Sequence, residues 1–288
     1  MTIPIEPQCS HISTLTVVGV GLIGGSLAAA VKARGLAARV IGVGRNPAKL
    51  AGAVERGLLD EVTSDLAWAA RQSDLLVFCT PVDWVVAGVR EAAAASRCGT
   101  LITDAGSTKA EICEALESGL PPGVEFIGSH PLAGSEKSGY EYSNPQLFVN
   151  RVCVLTPHAR TSISGLQRLR SFWCGLEARL IEMPARAHDR AVAETSHFPH
   201  VAASVLAATL APEHQVLAAR GFRDATRIAA GDADLWTSIL VDNAEEVSRS
   251  LDKFAGILEE YRTALQRRDA VAIKQLWERA KQIRDQLG

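Results

Sequence analysis

Several short stretches carry side chains whose types and spacing suit chemistry on a small molecule. Asp104-Ala-Gly-Ser107-Thr108-Lys109 brings a carboxylate, two hydroxyls and a cation together. Ser107 can orient a ligand through its hydroxyl. Equally, Ser107 or Thr108 can cap a helix, and Thr108 with Glu111 fits a capping box. Phe126-Ile-Gly-Ser-His130-Pro131-Leu-Ala-Gly-Ser135-Glu136 carries a histidine, the side chain whose ordinary pKa suits a general base near neutral pH. A lone histidine is more often structural, and it gains functional weight beside a redox cofactor. Glu194-Thr-Ser196-His197-Phe-Pro199-His200 places Ser196 and His200 four apart on one helix face. Pro199 cannot donate to the carbonyl of Thr195, so that helix is expected to kink. Arg223 and Arg227 are also four apart, shortly before Trp236, and read either as an exposed pair or as a carboxylate-binding site.

The elements that position these residues follow from periodicity. Leu15–Val18 is a short apolar and β-branched run that stops at Gly19, and an amphipathic helix pattern starts a few residues later. Between them lies Gly19-x-Gly21-x-x-Gly24, followed by a second strand at Arg39–Val43. In the dinucleotide-binding pattern the first glycine allows the tight turn. The second lets backbone approach a pyrophosphate, and the third lets helix and strand pack closely. The helix N-terminus then offers N–H groups and a positive dipole end to the phosphates, next to Leu22 and Ile23. Further strand runs at Leu75–Cys79, Thr100–Thr103, Val124–Ile127 and Val152–Leu155 alternate with helical patterns, and Ala178–Glu182 could close the far edge. The expected fold is therefore α/β: an N-terminal doubly wound Rossmann-type parallel sheet, followed by an all-helical dimerisation domain. The boundaries are 1–183 for the dinucleotide-binding domain and 184–288 for the helical substrate and dimerisation domain. In 238–268, Val247, Leu251, Phe254, Leu258, Tyr261 and Leu265 form a stripe, and Ile273, Leu276, Trp277, Ala280, Ile283 and Leu287 form another. These stripes suit either an internal helical core or, as favoured here, a homodimer interface. Residues 1–13 read as irregular.

The second strand also bears on the cofactor. An acidic residue about twenty positions past the glycines would bond the adenosine ribose and favour NAD. That position is Gly44, with Arg45, Asn46 and Lys49 after it. A guanidinium suits a 2′-phosphate, so NADP is favoured, with NAD an alternative. Thr80-Pro81 follows the strand ending at Cys79, at the sheet's carboxyl edge where ligands bind in such folds.

With 288 residues and a net charge of −2, composition gives no basic surface for nucleic acid and no membrane-surface patch. No apolar run approaches the ~20 residues needed to span a bilayer. The six cysteines are scattered, without CxxC pairs, as in a reduced cytoplasmic protein, and no metal-ligand spacing is present.

Taken in this order, the motifs resemble the prephenate/arogenate (cyclohexadienyl) dehydrogenase family of tyrosine biosynthesis. The resemblance rests on Gly-Leu-Ile-Gly-Gly-Ser, Asp-x-Gly-Ser-x-Lys, Ser-His-Pro-x-Ala-Gly-x-Glu, Ser-His-x-Pro-His and Phe-Arg-Asp-x-Thr-Arg-Ile-Ala. It implies oxidative decarboxylation of a cyclohexadiene with hydride transfer to a nicotinamide. His130 would take the proton of the substrate hydroxyl, and Ser107 would hold both in line. Arg227 would grip a carboxylate, with His200 and Ser196 lining the same pocket. Ser135, Glu136, Arg223 and Trp236 would complete the substrate site, and Asp104 would join Gly19, Gly21, Leu22, Ile23, Gly24, Arg45, Asn46, Thr80 and Pro81 at the cofactor. The run before Phe222 departs from the family's glycine-rich pattern. A β-hydroxyacid dehydrogenase and a non-catalytic NADP-binding sensor are the competing readings.

Overall fold

The structure is a computed structural model that describes residues 12–135 and 137–287. Residues 1–11, Glu136 and Gly288 lie outside the described residues. The main sheet contains β1 (Ile12–Val18), β2 (Ala37–Val43), β3 (Glu61–Thr63), β4 (Leu75–Phe78), β5 (Leu101–Asp104) and β6 (Glu125–Phe126). Its order is β3-β2-β1-β4-β5-β6 and every pair is parallel. β1 begins inside the stretch expected to be irregular, because the backbone N–H groups of Ser13 and Thr14 both donate to Asp74 Oδ2, at 2.9 and 3.0 Å. β3 was not expected, since Glu-Val-Thr carries no apolar run.

The connections are α1 (Leu22–Arg34), α2 (Ala51–Glu55), α3 (Leu66–Gln72), α4 (Val82–Ala95) and α5 (Ala110–Leu116). The helix after the glycines is not amphipathic as expected: every residue from Gly24 to Val31 is buried. It lies between the main sheet and the segment 140–143. A Cβ on Gly24 would sit 2.1 Å from the Gly19 carbonyl oxygen, and one on Gly25 would sit 2.2 Å from Ser143 Oγ.

The expected single sheet is in fact two. After Phe126 the chain turns, and β7 (Gly128–Pro131), β8 (Val152–Thr156) and β9 (Arg179–Glu182) form a second sheet, with β7 antiparallel to β8 and β8 parallel to β9. The run 124–127 therefore divides, and His130 lies within a strand rather than after one. Gly128 allows the turn to close: a Cβ there would meet Thr156 Oγ1 at 2.5 Å and Cys113 Sγ at 2.9 Å. Helix α6 (Ile163–Gly175) packs Leu169, Phe172 and Trp173 into the core shared with α1.

A buried ion pair joins the two sheets. Lys109 Nζ donates to Asp104 Oδ2, and both side chains are fully buried. Asp104 also accepts from the N–H of Gly106 at 2.9 Å and of Ser129 at 3.1 Å, while Ser129 Oγ donates to the Asp104 carbonyl at 2.5 Å. The end of β5, the Ser107 loop and the residue preceding His130 thus share one carboxylate.

The rest of the chain is helical: α7 (Ala185–Val192), a π-turn over Ala193–His197, α8 (Phe198–Ala208), α9 (Arg220–Thr226), α10 (Ala233–Asp242), α11 (Ala244–Gln266) and α12 (Ala270–Asp285). The kink expected at Pro199 takes the form of the π-turn immediately before it. A break at Asn243 divides the segment 238–268 into α10 and α11. Much of the apolar stripe on α11 and α12 faces outward, with Leu258, Leu265, Trp277 and Ile283 more than half exposed. No helix of the described residues is long and apolar enough to cross a membrane.

This packing has measurable stability consequences. Gly24→Ala should destabilise the chain by about 1–3 kcal/mol, because the added methyl meets rigid backbone. Gly21→Ala should leave the urea midpoint unchanged, since nothing lies within 4 Å of the added carbon. Lys109→Met should cost about 3–5 kcal/mol by leaving a buried carboxylate unpaired, and Asp104→Asn added to it should restore part of that loss in the same urea titration.

Candidate active site

The carboxyl ends of β1, β2 and β4 open onto a groove of about 880 Å³ lined by Gly19, Gly21, Arg45, Asn46, Lys49, Thr80, Pro81 and Trp84, among others. Gly19 has φ +91°, a backbone conformation that side-chain-bearing residues rarely adopt, and its amide donates to the Val43 carbonyl at 2.9 Å. Gly21 caps α1 without any side-chain hydrogen bond, so the helix's first N–H groups face the groove uncapped. Thr80 Oγ1 is buried in the groove wall without a protein partner. An uncapped helix start, an open backbone and an orphaned hydroxyl fit a dinucleotide. Leu22 and Ile23 are half-buried at the start of α1, and Gly24 lies beneath them against Gly19. Arg45 is exposed, whereas Asn46 Oδ1 is already used to accept from Ala48 N at 3.1 Å. A Cβ at Gly44 would meet Leu50 Cδ1 at 2.8 Å, the tip of a flexible side chain. Asp104, expected at the cofactor, instead directs both oxygens into the interior, where Lys109, Gly106 and Ser129 occupy them.

His130 sits on β7 next to the Ser107 loop. Burial, followed by the neighbouring charges of His188, Lys109 and His197, pushes its pKa well below the ordinary histidine value, so it is neutral at physiological pH. Its Nδ1 meets His188 Nε2 at 2.8 Å, and His188 Nδ1 meets Asp189 Oδ1 at 2.7 Å. His130 Nε2 and Ser107 Oγ have no hydrogen-bond partner among the described residues.

The Ser107 loop is fixed from the helical half. The expected capping box does not form: Thr108 Oγ1 is buried and unpartnered, and the neighbouring Asp242 carboxyl, with burial, raises the Glu111 pKa. Asp189 of α7 substitutes for the local cap. It accepts from Lys109 N at 2.8 Å and Ala110 N at 2.7 Å. Burial opposes the charge on Asp189, but the His188 and amide hydrogen bonds outweigh it and hold the carboxyl below its ordinary range. His197 adds a second tie. Its Nδ1 lies 3.1 Å from Asn243 Nδ2 and the ring also bonds the Ser107 backbone, while burial depresses its pKa to about 4. Asn243 Nδ2 further donates to the Asp189 carbonyl at 2.8 Å.

The π-turn and α8 present the remaining groups. His200 Nδ1 donates to the Ser196 carbonyl at 2.8 Å, which leaves Nε2 available. Trp236 stacks on His200 with ring centroids 3.6 Å apart. Burial lowers the His200 pKa, and the nearby positive charge of Arg227 lowers it further. His130 and Ser107 are therefore tied into one hydrogen-bonded network, and His200, Trp236 and Arg227 form an adjoining cluster linked to it through His197. Ser135 and Arg223 are instead engaged locally: Ser135 Oγ accepts from Lys137 N at 3.2 Å, and Arg223 Nε donates to the Ala218 carbonyl at 3.0 Å. His188, Asp189 and Asn243 were not singled out from sequence. Asp189 acts some eighty residues from the helix it caps, and no local spacing signals that contact.

Comparisons with known proteins agree with this geometry. Residues 27–182 match the family model described as prephenate dehydrogenase, nucleotide-binding domain, and residues 184–279 match prephenate dehydrogenase, dimerization domain. Prephenate dehydrogenase of Lactococcus lactis is 37% identical over 94% of this chain and 76% of its own length. Cyclohexadienyl dehydrogenase of Zymomonas mobilis is 33% identical over 88% of this chain and 89% of its own. The crystal structure of A. aeolicus prephenate dehydrogenase with hydroxyphenyl propionate and NAD+ superposes with a TM-score of 0.86 at 29% identity, covering 95% of this chain and 96% of that one. Synechocystis arogenate dehydrogenase gives 0.81 at 31% identity, covering 96% and 100%. A glycine-turn groove in a matched nucleotide-binding domain, a buried neutral histidine tied to the loop after β5 and a helical half matched along most of its length to one family's dimerization domain agree on one assignment: the chain belongs to the prephenate dehydrogenase family.

Proposed function

We propose that this chain oxidatively decarboxylates prephenate, arogenate or both, with NADP as the preferred hydride acceptor. The observation that carries this reading is a neutral His130 whose Nε2 is free of protein partners, with an equally free Ser107 hydroxyl on a loop held to the same carboxylate, Asp104. Ser107 would orient the C4 hydroxyl of the substrate towards His130. As the C4 hydride departs, His130 Nε2 takes the hydroxyl proton. Carbon dioxide leaves from the opposite ring carbon, and its bonding electrons complete the aromatic ring. The cofactor supplies the hydride acceptor, held by the turn from Gly19 to Gly24, Thr80, Pro81 and Arg45. On the far side, Arg227 would meet a substrate carboxylate, with His200, Ser196 and Trp236 forming the wall. In this reading Glu136 and Arg223 would pair at the site entrance, and Ser135 would contact the substrate.

The β-hydroxyacid alternative needs a free lysine as its acid–base group. Lys109 is fully buried and ion-paired with Asp104, so it is unavailable for that role. Solved 3-hydroxyisobutyrate dehydrogenases share only the fold, at 18% and 15% identity. The outward apolar faces of α11 and α12, together with the match to a dimerization domain, support a homodimer.

The test is a grid of NAD and NADP against prephenate and arogenate, read by nicotinamide absorbance. Turnover in at least one combination is expected; silence in all four with intact dinucleotide binding overturns the reading. His130→Asn should abolish turnover while leaving dinucleotide binding within about twofold. In the wild type, kcat/KM should hold until the pH falls below the ordinary histidine range, because only the depressed His130 pKa then removes the base. Arg45→Ala should weaken NADP about 10- to 100-fold, the range for a lost charge-assisted hydrogen bond, and leave NAD nearly unchanged. Equal losses for both cofactors would remove Arg45 from the selectivity argument.

A further inference from the structure

We propose that His188 and Asp189 are positioning residues that lock His130 in the tautomer with a bare Nε2, the form a general base requires. The inference rests on the assignment of His130 as base and adds the device that makes it one.

An ionised carboxylate can only accept hydrogen bonds. Asp189 Oδ1 receives Lys109 N at 2.8 Å and His188 Nδ1 at 2.7 Å, and Oδ2 receives Ala110 N at 2.7 Å. A His188 ring with a single proton therefore carries it on Nδ1, and its Nε2 has a lone pair. That lone pair faces His130 Nδ1 at 2.8 Å, with the two rings edge to face at 5.0 Å between centroids. A neutral His130 has one ring proton, and the His188 lone pair draws it to Nδ1. Nε2 is left bare. His188 is fully buried, so solvent does not compete for either bond.

The same chain suits the step itself. When Nε2 takes the hydroxyl proton, the Nδ1–H of the new imidazolium points through His188 towards the Asp189 carboxylate. The other charged or titratable groups facing His130 are Lys109 and His197, and both oppose a positive ring. Asp189 is then the nearest compensating charge that the chain connects to it. His188 and Asp189 stand on α7 and His130 on β7, so the tautomer of the base depends on the docking of the helical half. Through Lys109 and Ala110, the same carboxylate also holds the loop that carries Ser107.

Long-range 1H–15N NMR of histidine-labelled protein reads the tautomer directly, without substrate. His130 should be protonated at Nδ1. In Asp189→Asn an amide cannot accept at all three contacts. Turning its NH2 towards His188 reverses both rings and moves the His130 proton to Nε2. A wrong tautomer of this kind costs about 10⁴ in kcat in a serine protease triad, and a loss of roughly 10²- to 10⁴-fold is expected here. His188→Phe keeps the ring volume, removes both nitrogens and leaves the Asp189 bonds to α5 in place. It should lower kcat at least tenfold, with dinucleotide binding within about twofold of wild type. A wild-type His130 protonated at Nε2, or a His188→Phe enzyme within twofold of wild-type kcat, overturns the proposal. A wild-type protein with the Nδ1 tautomer but no turnover on any substrate of the grid would instead overturn the assignment of function, leaving the lock intact.

Discussion

The structure depends on a lysine and an aspartate placed where water does not reach. Asp104 ends β5, Lys109 lies five residues on, and both are sealed between the two sheets. A buried ion pair of this kind is costly to desolvate, and hydrophobic replacements can be as stable. Its value here is geometric. The carboxylate accepts from a lysine, from the Ser107 loop at Gly106 and from Ser129, so the Ser107 loop and the strand of His130 are held to one anchor. A greasy pair would fill the space without fixing either direction.

Around that anchor, the two halves of the chain divide the labour. The sheet end supplies the glycine-turn groove, His130 and the Ser107 hydroxyl. The helical half supplies Asp189, His197 and Asn243, each of which reaches back to the loop or to its neighbours. The π-turn before Pro199 belongs to this arrangement. An ordinary α-helix repeats every 3.6 residues, and a wider turn rotates the faces of the helix beyond it. His197 is buried towards the Ser107 loop, while His200 lies half-buried against Trp236.

Much of this was legible in the sequence, and the parts that were not share a cause. The Gly19–Gly24 turn is encoded locally, because a positive φ and a 2.1 Å approach leave little choice of residue. His130 and Ser107 stand out in the sequence because each follows a strand-like run, and the fold ties the segments that carry them to one carboxylate, Asp104. The division between two sheets was hidden, since residues 124–131 read as one continuous stretch and the break depends on Thr156 and Cys113 packing over Gly128. The capping box at Thr108 and Glu111 was a sound local pattern, yet a carboxylate from α7 took its place. His188 and Asp189 sit in a polar helix start that looks like ordinary solvated surface until the fold buries it.

The stacking of Trp236 on His200 has an optical meaning. An indole stacked at 3.6 Å on an imidazole is within electron-transfer contact of it, and a protonated imidazole quenches indole emission far more effectively than a neutral one. His200 is held neutral by burial and by Arg227. Trp236 therefore emits beside a quencher that is switched off, and anything that charges His200 or separates the two rings changes its brightness. The helical half carries its own lamp.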